Sequence, residues 1–210
     1  KLIKKFDFII PLAAIVGAPL CVKMPKETEE TNFGAIKFLC KNLSKDQKII
    51  MPVTNSGYGI GKKDEMCDEN SPLNPISLYG QTKVNAEKII MERENSVSFR
   101  LATVFGASAR MRTDLLVNDF VHKAIVDGYI VLFESHFKRN YIHVKDIAHT
   151  FLFVIEHYDE MKGEVFNKTG VFFLLVSLYA SFCIQACLNL KIFPRWEWFC
   201  KLIILPFRIF

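Results

Sequence analysis

Apolar residues gather in three short runs along the first half of the chain: 6–18 (FDFIIPLAAIVGA), 48–53 (KIIMPV) and 96–104 (SVSFRLATV). Runs of this kind belong to strands buried on both faces, as in parallel sheets. Between them the period changes. From about Glu27 to Leu43 the positions Phe33, Ile36, Leu39 and Leu43 recur at helical spacing, and a second helix is predicted from about Ser77 to Arg93, after a loop with Pro72 and Pro75. Strand, helix, strand, helix, strand in this order predicts an α/β fold built on a doubly wound parallel sheet.

Beyond Val104 the pattern predicts an amphipathic helix over 114–127 and short strands at 129–133 and 141–144. A further helix then runs to about His157, with Asp146 as its N-cap. After Asn167 the composition shifts. Residues 169–190 carry no charge, and the chain stays hydrophobic through Trp196 and Trp198. That length suits a membrane-spanning helix, but Ser177, Ser181, Gln185 and Asn189 interrupt it. The expected organisation is one partial domain over 1–167, with a small substrate region opening after about residue 107. Residues 168–210 would be a hydrophobic tail: a non-native continuation (a frameshift or a read-through intron) or a membrane anchor. Membrane contact is expected only through 169–190.

The chain's 27 basic and 22 acidic residues leave a net charge of +5 in 210 residues. The cations are dispersed as pairs such as Lys62-Lys63 and Lys138-Arg139, without the basic face and interleaved aromatics of a nucleic-acid binder, so no nucleic-acid partner is expected. Six cysteines show neither a CxxC pair nor a rhythm with histidine. No metal site is expected, and a reducing cytoplasm fits best. Residues 1–8 are too charged for a signal peptide.

Candidate chemistry begins with Tyr79 and Lys83. Four residues apart on a helix, they share one face. A phenol with a pKa of about 10 is a poor base at neutral pH, and a neighbouring ammonium stabilises its phenolate. Such a pair can take the proton of a sugar hydroxyl while hydride leaves the same carbon. Thr54 ends the second apolar run, at the carboxyl end of a strand, where open α/β sheets place ligands. Its hydroxyl would bond the same substrate oxygen.

These residues sit in a larger pattern. The segment Thr54-Asn-Ser-Gly-Tyr58-Gly59 resembles the Ser/Thr-x-x-x-Tyr-Gly signature of the extended short-chain dehydrogenases, the NAD-dependent epimerase/dehydratase family, with Tyr79 and Lys83 following at the family's interval. Leu12-Ala13-Ala14 is similar to the family's strand-end motif beside the dinucleotide, and Asn32 to an asparagine of the next helix. Arg100–Gly106 is similar to the strand after the catalytic helix, and Arg139-Asn-Tyr-Ile-His143-Val-Lys-Asp146 to the family's Arg-x-Tyr-Ile-His-Val-x-Asp block.

The resemblance implies a Rossmann-like fold, incomplete at the N-terminus, and a nucleotide-sugar epimerase, dehydratase or C4 dehydrogenase using NAD. It implies Tyr79, Lys83 and Thr54 as catalytic residues, and Leu12, Ala13, Ala14, Tyr79, Lys83 and Ala102 as the cofactor's contacts. On the substrate side it implies Thr54, Thr103, Asn118 and Arg139, the last holding the diphosphate through its planar fork. It also implies a homodimer formed partly by the catalytic helix.

Three departures qualify it. The Gly-x-x-Gly-x-x-Gly loop is absent, and Gly57, Gly59 and Gly61 follow the wrong strand to replace it; a first βαβ unit would precede Lys1. Thr103 stands where relatives carry asparagine. The family pattern stops at Phe166-Asn167. The alternative reading is a remnant or tail-anchored fragment acting only through protein or membrane contacts.

Overall fold

The run KIIMPV becomes strand β2 (Lys48–Thr54), the second strand of a four-stranded sheet. The computed structural model describes residues 3–61, 66–132 and 138–174. Beside β2 lie β1 (Phe8–Ile9) on one side and β3 (Ser96–Leu101) on the other. Then comes β6 (Val165–Lys168), and every neighbouring pair is parallel. β2 is buried on both faces, which explains its unbroken apolar run. Ile50 joins Val97, Phe99 and Leu101 of β3 in one core, beneath Ile147 and Val154 of α6 (Val144–Glu156). Ile49, Met51 and Val53 point the other way. They meet Ile36 of α3 (Ala35–Asn42) and Ala86 and Ile90 of α4 (Leu78–Met91). The result is the expected three-layer, Rossmann-like arrangement.

The chain divides into two compact units. The first, Lys1–Val104 with Ile142–Gly170, holds the parallel sheet. The second comprises Phe105–Tyr141 and the chain from Val171 onward. Within it, α5 (Leu116–Val126) packs Val117, Leu116 and Phe120 against Tyr141 of β5 (Lys138–His143). β7 (Val171–Leu174) pairs antiparallel with β5, opposing Tyr141 to Val171 and Lys138 to Leu174.

Several elements differ from expectation. The first strand is two residues long, because Pro11 has no N–H to extend the ladder. The helix expected from Glu27 starts earlier and is broken. α1 (Ala18–Lys23) stops at Met24, whose backbone is forced out of the helical region by Pro25, and α2 (Pro25–Glu29) restarts there. A π-helical turn, Glu30–Gly34, then leads into α3. The strand expected over 96–104 breaks at Ala102, and Thr103–Phe105 (β4) joins a second sheet of order β4-β5-β7. Residues 129–132 are not a strand. Asp146 does not cap α6. The cap is His143, whose Nδ1 accepts from the Lys145 amide at 3.3 Å, leaving Asp146 in the first turn, where its charge suits the helix dipole.

Among the described residues no helix is long and apolar enough to cross a membrane. Most of the stretch 169–190, and the whole tail from 175, lies outside them.

One glycine is demanded by the fold. Gly59 closes the turn after β2 with φ of 72°, a left-handed conformation, and a Cβ there would overlap the Asn74 carbonyl oxygen. Gly59→Ala should therefore destabilise the protein by about 3 kcal/mol, combining conformational strain with overpacking. Urea unfolding of the two proteins would measure it, and equal midpoints would contradict this account.

Candidate active site

Parallel register sets Thr54 opposite Leu101 and Leu101 opposite Lys168, so β2, β3 and β6 end in one row. Thr54 is buried. Its Oγ1 accepts from the Ser56 amide at 3.1 Å and so caps the 3₁₀ turn Asn55–Tyr58. Among the described residues none accepts its hydroxyl proton, which leaves Thr54 free to donate.

The turn rests on the start of α4. At Gly57 a Cβ would lie 2.8 Å from the Val84 side chain, and at Gly80 it would lie 3.2 Å from the Ser56 carbonyl. The absence of side chains at both positions brings the turn and helix into contact. Ser77 Oγ caps α4 by accepting from the Gly80 amide at 3.1 Å. Tyr79 then lies half-buried in the first turn, with Lys83 one turn further on.

Lys83 is only 5% exposed. No hydrogen bond or ion pair to its ammonium occurs among the described residues, and burial pushes its pKa down to about 8. An ammonium held this way opposes stability, and such groups concentrate at functional sites.

Asn32 has a part that motif matching alone did not reveal. In the π-helical turn, a feature often found at functional sites, its buried amide accepts from the Ile15 N–H at 2.8 Å. It also donates to the Ile15 carbonyl at 2.9 Å. The same Nδ2 reaches Thr82 Oγ1 at 3.4 Å, and Thr82 in turn donates to the Tyr79 carbonyl at 3.0 Å. Asn32 thereby pins the segment after β1 and links it to α4 beside Tyr79. Of that segment, Leu12 and Ala13 are exposed and Ala14 is half-buried. Asn32→Ala would leave the Ile15 N–H unpaired and its carbonyl with only the weak Cys21 thiol donor at 3.5 Å. The expected loss is about 2 kcal/mol, read as a lower denaturation midpoint; a neutral substitution would show that the clamp does not hold the segment.

Ala102 is buried, its amide donating to the Lys168 carbonyl at 3.0 Å, and Thr103 beside it is half-buried. Within the second unit Arg139 is exposed on β5. Asn118 is buried on α5, its amide accepting from Gly106 N at 3.1 Å and donating to Arg112 O at 3.0 Å, so it holds the 106–112 loop. Arg112 pairs with Asp114 and Arg110 is exposed. His149 is exposed and His136 lies outside the described residues. Among the described residues no cluster of potential metal ligands occurs.

Known proteins share this architecture. A UDP-glucose 4-epimerase of Lactobacillus helveticus is 27% identical over 187 residues, covering 78% of this chain and 56% of that protein. UDP-glucuronate 4-epimerase 6 of Arabidopsis thaliana is 23% identical over 175 residues, covering 79% of this chain and 38% of its own. Among solved structures, the UDP-glucuronic acid 4-epimerase of Bacillus cereus, in complex with UDP-glucuronic acid and NAD, superposes with a TM-score of 0.72. It is 23% identical and covers 85% of this chain and 59% of its own. The dTDP-glucose 4,6-dehydratase of Bacillus anthracis, in complex with NAD, gives 0.68 at 20% identity, covering 87% and 58%. The chain thus spans about half the length, or less, of these curated relatives. Residues 1–167 match one family throughout, and the chain belongs to the NAD dependent epimerase/dehydratase family.

Proposed function

We propose that the complete protein oxidises a nucleotide-linked sugar by hydride transfer, as an epimerase, dehydratase or C4 dehydrogenase, with Tyr79, Lys83 and Thr54 at the reacting carbon. The observation that carries this reading is Lys83: an ammonium buried without a described partner, one turn from a tyrosine, on a helix packed against the turn that a strand-end threonine caps. A scaffold kept only for protein contacts has no use for such a group.

The residues present suit the nicotinamide end of NAD. The Lys83 ammonium needs an acceptor such as a ribose hydroxyl. The segment from Leu12 to Ala14, fixed through Ile15, presents small or exposed positions beside the sheet edge. Bound NAD supplies the hydride acceptor. The Tyr79 phenolate removes the sugar hydroxyl proton as the C–H bond breaks, leaving a ketone. Lys83 lowers the cost of that phenolate by its charge. Thr54 donates to the substrate oxygen and fixes its orientation. Thr103, Asn118 and Arg139 are the substrate-side candidates, Arg139 offering an exposed guanidinium for diphosphate.

The relatives' names direct the choice of substrates. Full-length protein with NAD is incubated with UDP-glucose, UDP-glucuronic acid or dTDP-glucose, and the sugar is followed by proton NMR. Appearance of a 4-epimer, a 4-keto-6-deoxy sugar or a 4-keto sugar with C6 unchanged supports the proposal and selects among the three reactions. No conversion of any of them, together with no measurable NAD binding, would remove it.

A further inference from the structure

Below the candidate site lies a buried charged network not used by the chemistry above. β3 alternates Val97, Phe99 and Leu101 on one face with Ser96, Ser98 and Arg100 on the other, and all six are buried. Over the polar face stands Glu87 of α4, four residues beyond Lys83. Its carboxylate accepts from Arg100 Nη2 at 2.8 Å and Nε at 3.1 Å, and from Ser98 Oγ at 2.8 Å. The remaining Arg100 nitrogen, Nη1, turns the other way. It donates at 2.9 Å to the Tyr58 hydroxyl and at 2.9 Å to the Glu69 carbonyl. Tyr58 closes the turn begun by Thr54 and donates at 2.6 Å to Asn167 of β6. Asn167 donates through its own amide to the Glu69 carboxylate at 2.6 Å.

One guanidinium therefore touches the helix carrying Tyr79 and Lys83, the turn carrying Thr54, and the loop at Glu69. Arg100 stands one residue before Leu101, the partner of Thr54 in register. A planar fork with donors on three nitrogens can satisfy these directions together, and a lysine ammonium cannot. A pair that only added stability would not need to sit where three such segments meet, because buried ion pairs contribute little net stability.

We infer that Arg100, paired with Glu87, is the positioning residue that holds Lys83 and its helix in register with the Thr54 turn. This rests on the proposed role of Lys83 only for its catalytic consequence.

The test uses the full-length protein in three variants: Arg100→Lys, which keeps the charge but not the fork; Glu87→Met with Arg100→Met, which replaces the pair by apolar residues; and Tyr58→Phe, which removes one hydroxyl and is the variant surest to fold. The decisive reading is labelling of Lys83 by an amine reagent, mapped by mass spectrometry against exposed Lys88. Lys83 should become labelled about tenfold faster in the first two variants, as local opening becomes easier, and less so in Tyr58→Phe. With substrate and NAD, kcat should fall about 100-fold in the first two while KM stays within about threefold, the mark of lost alignment without lost binding. Unchanged Lys83 labelling in the folded variants would overturn the assignment whatever the activity. A wild-type protein that turns over no nucleotide sugar would remove the proposed function instead, and the labelling would still decide the positioning role.

Discussion

Tyr79→Phe is expected to lower turnover of the full-length protein by roughly 10²–10⁴-fold, the usual contribution of a positioned proton acceptor, while KM changes little. The substitution removes one oxygen from a half-buried ring. The backbone of Tyr79 keeps its bond from Thr82 Oγ1, so the first turn of α4 retains its attachment to Asn32. Stability should therefore shift by no more than about 1 kcal/mol, and NAD binding should persist. Loss of kcat with KM and fold preserved identifies an interaction made in the transition state. If the variant kept activity within about tenfold of wild type, where the loss of a general base is normally far larger, another group would have to take the proton. The central assignment would then fail.

The parts of this protein that were legible in the sequence are those set by local pattern. β2 is an apolar run because helices cover both faces of the sheet, and Thr54 could be placed at a strand end because the run stops there. Tyr79 and Lys83 could be paired because a helix fixes the relation between positions four apart. What could not be read depends on partners far along the chain. Asn32 clamps a residue 17 positions away and touches another 50 away, and no periodicity marks either contact. The serines and arginine of β3 form a polar face in an alternating strand. They are buried because Glu87 arrives over them from α4. Asp146 was the expected helix cap, and the place fell to His143 because β5 runs as far as that residue and the helix starts directly after it. The break at Ala102 has the same character, since the amide that ends β3 is claimed by Lys168 of β6. Three of the four core strands followed from sequence; β6 and the order of the sheet did not. The polar contacts that turn the sheet edge into a site did not.

Lys83→Met should abolish turnover and make the protein more stable at neutral pH, a combination expected where function keeps a charge in an unfavourable place. The sign follows from the two protonation states. Burial lowers the Lys83 pKa from the ordinary 10.5 to about 8, so between those values the unfolded chain binds the proton that the folded protein has released. Stability must then rise with pH across that window. Below about pH 8 the ammonium stays charged and buried, at a cost of about 3 kcal/mol for a shift of this size. Methionine fills nearly the same space with no charge, so at pH 7 the variant should gain about 2–3 kcal/mol over wild type. The gain should shrink as pH rises from 8 and disappear only above 10.5, where the lysine is neutral in the folded and the unfolded state alike. Urea unfolding of the pair at neutral and alkaline pH measures this directly, and using the difference between the two proteins cancels the titration of every other lysine. A variant less stable than wild type at pH 7 would mean that the ammonium has a stabilising partner in the folded protein. The unpaired cation, and with it the strongest support for hydride chemistry at this edge of the sheet, would be lost.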